Sequence, residues 1–249
     1  DEPAKRAARV DARFVNSAMK ATLLGGLVSD VTSDGQEVSG IGGQFNFIEQ
    51  AFALECGRAL ITLPSTRTKK GETVSNIVWE QPHESVPRAY RDIIVTEYGI
   101  ADLRARTDSE VAKALIAIAD SRFQAGLLQQ ARAAGKIEPD WTVPADCRDN
   151  TPQTLAARLA PLKARGLFPD YPFGHDFTDI ELALSRALPV VKTLAARTPK
   201  WRLLWRALRA GRPDPRWQPH LARMQLQQPR SLQDKVVVAL LTEALSRQA

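Results

Sequence analysis

The run Ala59–Leu63 (ALITL), closed at once by Pro64-Ser65, constrains this fold more than any other stretch. A compact apolar run of that length, ended by a turn, reads as a strand of the buried type. Two more strand candidates follow, Thr73–Trp79 (TVSNIVW) and Asp92–Tyr98 (DIIVTEY), separated by a loop that holds Pro and His. Upstream, residues 13–37 read as short β segments, with Gly25-Gly26 as a bulge or turn and Ser33-Asp34-Gly35 as a turn. Helical spacing alternates with these strands. Phe47, Ile48, Ala51, Phe52 and Leu54 recur as on a helix that stops by Gly57. Thr107-Asp108-Ser109-Glu110 caps another that runs to about Ala119, and a third covers about Arg122–Ala134. Strands followed by paired helices predict an open α/β layered sheet domain over residues 1–145.

Beyond that point the pattern changes. A linker-like stretch, EPDWTVPADCRDNTP, gives way to helical periodicity over about 152–165, 177–187, 189–198, 200–210, 214–226 and 231–247. Pro161 should kink or break the first of these, and Pro189 should separate the second from the third. Ser231 with Asp234 begins the last helix, whose expected buried face is Val236, Val237, Leu240, Leu241 and Leu245. Residues 146–249 are therefore expected to form an all-α extension. It is basic: residues 191–249 hold 12 Lys and Arg against 3 acids, whereas the whole chain carries only +6.

No apolar run nears the roughly 20 residues that span a bilayer. The N-terminal DEPAKRAARVDARF has no apolar segment of the signal-peptide kind. Its lack of an initiator Met is read as a processed chain or a piece of a longer one, and a cytoplasmic location is expected. Cys56 and Cys147 stand alone, and His83, His175 and His220 are scattered, so neither a disulfide framework nor a metal site is expected.

Three stretches carry candidate chemistry. Ser39–Phe47 (SGIGGQFNF) places three glycines in four positions before a helix. Bare backbone there allows close approach of a ligand, and unpaired N–H groups at a helix start favour an anion. A dinucleotide fingerprint is excluded, because Phe45 stands where a glycine should and no acid follows about 20 residues on. A Walker loop fails too, since Lys69-Lys70 precede Gly71. The second stretch, Ser65–Ser75 (STRTKKGETVS), is read over Thr66–Gly71 as a basic loop, in which Arg67, Lys69 and Lys70 beside a glycine suit phosphate or carboxylate. In the third, Ile93–Arg104 (IIVTEYGIADLR), Glu97 lies at the carboxyl end of a strand, where ligands of open α/β sheets collect. It could orient a substrate, act as a base or pair with Arg104. For each stretch the plain alternative is structural: a tight turn, a solvated basic loop and a turn ion pair.

In order, FVNSAMKATLLGGLVS (Phe14–Ser29), SGIGGQFNF, LPSTRTKKGETVSNIV (Leu63–Val78) and IVTEYGIADLRA (Ile94–Ala105) resemble the acetyl-CoA hydrolase/transferase family, class I CoA-transferases that include 4-hydroxybutyrate and succinate:acetate CoA-transferases. The likeness covers about the first 135 residues. It implies an α/β domain of the CoA-transferase type with an acyl-CoA site in a cleft between two such domains. It also implies a reaction in which a glutamate carboxylate attacks the thioester and a glutamyl-CoA thioester forms. By position, the backbone at Gly71 and Glu72 matches the family's oxyanion loop, and Glu97 an active-site carboxylate distinct from the nucleophile. Gly40, Gly42, Gly43 and Gln44 match the glycine-rich loop at the coenzyme A site. Ser29 stands where the family usually has an asparagine that contacts the reacting group, and Lys70 falls in the loop. Glu72 replaces a glycine, Asn46 the usual Asp and Ala105 a common glycine. The nucleophilic glutamate is expected upstream of residue 1, in an N-terminal catalytic segment of the same protein.

The expected function is thus that of the C-terminal part of an acyl-CoA hydrolase or CoA-transferase. Coenzyme A enters as acyl-CoA substrate with a carboxylate acceptor or water, without metal, and a homodimer counts among the expected assemblies. The alternative is a catalytically silent CoA-binding or assembly module, or a basic tail that tethers to anionic membrane or nucleic acid. In KWRLLWRALRAGR, Trp201, Leu204, Trp205 and Leu208 share one helix face opposite Lys200, Arg202, Arg206 and Arg209. That face suits docking on the catalytic domain or a partner subunit, or an acidic membrane surface. No module that reads nucleic acid is recognisable.

Overall fold

A computed structural model describes residues 2–247 apart from 33, 210 and 212. Ser33 of the expected turn therefore lies outside the described residues, as do the side chains of Lys200 and Arg206. The chain forms two compact units, Asp1–Phe168 and Pro169–Ala249. They divide later than the 145/146 division drawn from sequence.

The first unit is the α/β layer. After a short helix α1 (Pro3–Ala7), strands β1 (Arg13–Ser17), β2 (Lys20–Thr22) and β3 (Leu27–Val28) precede helix α2 (Gln44–Ala53) and strand β4 (Arg58–Thr62). Strands β5 (Thr66–Lys69), β6 (Glu72–Ser75), β7 (Ile77–Val78), β8 (Ile93–Thr96) and β9 (Gly99–Asp102) follow. Helices α3 (Asp108–Ala117), α4 (Ser121–Ala133) and α5 (Pro152–Ala164) complete the unit. The main sheet has the order β1-β4-β8-β9; its first three strands are parallel and β9 turns back on β8. A second sheet runs β3-β2-β7, and β5 and β6 form a separate hairpin.

Alternation along the parallel strands sorts their side chains into two sets. Ala59, Ile61, Ile94 and Ala101 join Ile48 and Ala51 of α2 and Val111, Leu115 and Ile116 of α3 in one buried core. By register, Val15, Leu60, Ile93, Val95 and Ile100 share the opposite face. There the cover is thin, with Val15 65% and Ile100 71% exposed. Parallel sheets are ordinarily covered on both sides.

Several sequence expectations need correction. The polar Thr66–Gly71 segment is a strand and turn rather than a loop, because Thr66 to Lys69 pair with Ser75 to Glu72 in an antiparallel ladder. TVSNIVW is not one strand: β6 and β7 join different sheets, with Asn76 between them. The stretch that reads as a linker is stitched down. Gln124 donates to the Cys147 carbonyl (2.9 Å), Asn150 donates to the Ala117 carbonyl (2.7 Å), and the Asn150 amide donates to Ser121 Oγ (2.6 Å).

The second unit is helical: α6 (Asp179–Arg197), α7 (Lys200–Arg209), α8 (Gln218–Arg223) and α9 (Leu232–Ser246). Leu184 and Ala187 of α6 meet Leu221 of α8 and Val238, Leu241, Ala244 and Leu245 of α9 in its own core. Pro189 does not separate two helices, since α6 runs through it, as α5 runs through Pro161. A capping box at Thr178–Glu181 and the buried Leu184 and Ala187 hold α6 together across the lost hydrogen bond. The expected start of α9 is present as a Ser231–Asp234 capping box. Val238 and Ala244 join its buried face, whereas Val236 and Val237 are only half-buried.

Candidate functional site

Because β1, β4 and β8 are parallel, their carboxyl ends, Ser17, Thr62 and Thr96, lie along one edge of the sheet. Ser17 and Thr62 share a hydroxyl hydrogen bond (3.0 Å). Just past Thr96, Glu97 turns back toward the end of β4. Its Oε2 accepts from the Ser65 amide and its Oε1 from the Ser65 hydroxyl, both at 2.7 Å. Ser65 is fully buried, while Glu97 itself is exposed. Both carboxylate oxygens are thereby oriented while the group faces solvent. Arg104 does not pair with Glu97. It binds the buried Asp92 (2.5 Å) and stacks on Phe52 (4.3 Å from the ring centroid).

Asn76 locks the adjoining hairpin to the same edge. Its amide donates to the Ser65 carbonyl and its Nδ2 to the Pro64 carbonyl, both at 2.8 Å, and its Oδ1 accepts from Arg67. At the far end of the hairpin, Lys70 (φ 51°) and Gly71 (φ 87°) make the two-residue tip between Lys69 and Glu72. Positive φ at both positions defines a type I′ turn. Glu72 thus begins a strand and takes no part in the tip.

The glycine stretch reaches this edge from the other side. Gly43 caps α2 without any side-chain hydrogen bond, so the first N–H groups of that helix have no capping side chain. Gln44, 93% buried, donates from Nε2 to the Ser17 carbonyl (2.9 Å), and its Oε1 is buried without a partner. A Cβ added at Gly40 or Gly42 would meet nothing within 4 Å; at Gly43 it would come within 3.2 Å of Phe47. Only Gly42 has positive φ, 60°. The turn therefore demands glycine at 42 and helix packing favours it at 43, while Gly40 simply borders open space.

Of the residues singled out from sequence, Gln44 bonds to Ser17 at the end of β1 and Glu97 to Ser65 just past the end of β4, and Ser17 and Thr62 join those two strand ends. Lys70, Gly71 and Glu72 sit at the tip of the hairpin rooted there. Ser29 sits elsewhere, at the end of β3, where its amide donates to Ser85 Oγ (2.8 Å) and its own hydroxyl is buried without a partner. Sequence reasoning missed the tethering roles of Ser65 and Asn76, although both fall inside the quoted LPST and VSNIV text. Tyr98 was also missed. It donates to Asp120 (3.2 Å); burial, then the charges of Asp120 and Glu97, push its phenol up to about 12. It therefore stays protonated beside Glu97 at neutral pH. Among the described residues no group of three or more His, Cys, Asp or Glu could hold a metal ion, and no helix is long and apolar enough to cross a membrane.

A family model for the acetyl-CoA hydrolase/transferase C-terminal domain matches residues 1–131. A probable butyrate:acetyl-CoA coenzyme A-transferase from Syntrophomonas wolfei is 35% identical over 121 residues, 47% of this chain and 27% of that protein. A 4-hydroxybutyrate coenzyme A transferase from Clostridium kluyveri is 35% identical over 117 residues, with the same shares. Among solved structures, a point mutant of RipA is 31% identical over 55% of this chain and 30% of that one, with a TM-score of 0.50. The chain thus spans 27% of the length of these curated relatives.

Proposed function

The chain belongs to the acetyl-CoA hydrolase/transferase family, whose C-terminal domain it carries, and on that footing we propose that it furnishes the coenzyme-binding loops of an enzyme acting on a short acyl-CoA. The carrying observation is the open space at Gly40 and Gly42, next to a helix start and tied through Gln44 to the sheet edge that holds Glu97. A thioester arm can lie against backbone there, where any side chain would intrude. Gly40, Gly42, Gly43 and Gln44 face the coenzyme in this reading, with Lys70 toward the reacting group; Ser29, which lies elsewhere, takes no part in it. Glu97, oriented by Ser65, positions the incoming carboxylate or water.

Chemically, a glutamate outside these 249 residues attacks the thioester carbon and expels the coenzyme thiolate. The acyl–glutamyl anhydride so formed is attacked by that thiolate at its glutamyl carbonyl, which expels the acyl group as its carboxylate and leaves a glutamyl thioester for a second carboxylate or water to resolve. Each addition forms an oxyanion, for which the backbone amide of Gly71 at the hairpin tip is the donor in this reading, since Glu72 is paired with Lys69 in the ladder. The test is intact-mass measurement of the full-length protein with acyl-CoA. A covalent coenzyme adduct is expected. Absence of adduct and of turnover across short and medium acyl-CoAs would leave a binding module only.

The helical unit supports a second reading, a tether to anionic membrane. On α7, Trp201 (66% exposed), Leu204, Trp205 and Leu208 remain exposed, and the guanidiniums of Arg202 and Arg209 stack over Trp201 and Trp205. Aromatic and cationic groups on one short helix suit an anionic interface. Co-sedimentation with phosphatidylserine vesicles that fades with added salt is expected; no binding at low salt removes this reading.

A further inference from the structure

The turn that carries Glu97 is held from two sides. Strands β8 and β9 pair Thr96 with Gly99, so Glu97 and Tyr98 form a two-residue connection. Neither has positive φ, whereas hairpins this tight favour turns with positive φ at one or both central residues. The backbone alone therefore does not select this turn, and side chains supply what it lacks. On the sheet side, Ser65 donates to both Glu97 carboxylate oxygens at 2.7 Å. On the other side, the turn is latched to the corner between α3 and α4. Thr96 Oγ1 donates to the Ile118 carbonyl (2.7 Å) and accepts from the Tyr98 amide (3.2 Å). The Tyr98 phenol donates to Asp120 Oδ2 (3.2 Å). Asp120 is fully buried, and Arg122 binds it through its amide (3.0 Å), Nε (2.8 Å) and Nη2 (2.7 Å). Burial alone would raise the Asp120 carboxyl, but the bonds from Arg122 hold it below the ordinary value, so it accepts as a carboxylate. Gly99 lets the corner come this close, since a Cβ there would stand 3.0 Å from Ile118 Cγ2.

We propose that Tyr98 is a positioning residue: through Asp120 it fixes the turn so that the Glu97 carboxylate stays on Ser65 at the sheet edge. The inference rests on the transferase reading above, in which Glu97 positions the incoming carboxylate or water. Ser65 holds the two carboxylate oxygens but not the backbone that bears them. With Tyr98 bound to Asp120, the backbone end of Glu97 is tied to the α3–α4 corner and its carboxylate end to the exit of β4, so an exposed side chain is stretched between two anchors. A phenol has a single proton to give, and here it goes to Asp120. Tyr98 therefore acts through Glu97 rather than on the reacting atoms. The step that depends on it is the second one, resolution of the glutamyl thioester, and not its formation.

The test uses Tyr98→Phe, which keeps the ring and removes the phenolic proton. In this chain, amide hydrogen exchange should quicken about tenfold at Ser65, whose N–H is bonded to Glu97, while that of Ala59, bonded to Asp92, stays as it was. In the full-length protein the coenzyme adduct should form at the native rate and decay about tenfold more slowly, the margin of one hydrogen bond to a charged group. On a Glu97→Ala background, Tyr98→Phe should have no further effect on that decay, because a residue that acts through Glu97 loses its influence with it. Unchanged exchange at Ser65, equal slowing of both steps, or an undiminished effect on the Glu97→Ala background would each overturn the proposal. The two readings fail separately. Faster exchange at Ser65 in the variant, with no adduct in the native full-length protein, removes the enzyme and keeps the latch. An adduct in the native protein, with exchange at Ser65 unmoved by Tyr98→Phe, does the reverse.

Discussion

At the scale of single residues, Gly40 separates ligand packing from folding. Its φ is not positive and a Cβ there touches nothing, so Gly40→Ala should change stability by no more than about 0.5 kcal/mol in a urea melt. On the proposed function, the same change in the full-length protein should raise KM for acyl-CoA, since it would fill the space that function gives to the arm. Asp108 is a second test case. Hydrogen bonds from Lys136, then from Arg91, hold its carboxyl below the ordinary value. Its stabilisation is whole above the unfolded value of about 3.9 and is lost as pH falls through the lower folded one. The stability gap between the native chain and Asp108→Asn should therefore shrink as denaturation is repeated from about pH 5 toward pH 2. The turn at Gly42 and the place of Glu97 just past a strand end were legible because their neighbours in sequence carry the signal. Tyr98 was not: only the fold brings it to Asp120, 22 residues on.

Elements were legible where their ends are written in side chains. The Thr107–Glu110 box starts α3 and the Ser231–Asp234 box starts α9, both as the sequence implied. The β5–β6 hairpin was hidden because its strands, TRTK and ETVS, are polar and only half-buried or exposed. No apolar alternation marks them, and the ladder and tip alone define them. That tip carries a removable strain. Lys70 occupies the left-handed region at φ 51°, which costs a side-chain-bearing residue roughly 1 kcal/mol. Lys70→Gly should raise the melting temperature of the chain. If Lys70 also contacts the reacting group, turnover of the full-length protein should fall at the same time, and the paired measurements separate the two roles.

For the molecule as a whole, the composition shift near residue 150 announced a second, helical unit but misplaced the seam. Asn150 and Gln124 fasten the polar stretch to the first unit through buried side-chain bonds that no composition reveals. The seam at 168/169 lies amid exposed aromatics, with Phe168 54% and Phe173 fully exposed. Limited chymotrypsin digestion should cut there first and leave two protected fragments, read by mass spectrometry, because each unit has a core of its own. The main sheet has a further consequence. Its thinly covered side exposes Val15 and Ile100, with half-buried Leu60, Ile93 and Val95 between them and the Arg58–Asp102 ion pair alongside, and water wets such aliphatic carbon poorly. The isolated chain should make the dye ANS fluoresce in its native state, and Ile100→Lys should dim that glow. Any surface laid over this face in solution would dim the same glow, so the dye also reports whether the face is left open.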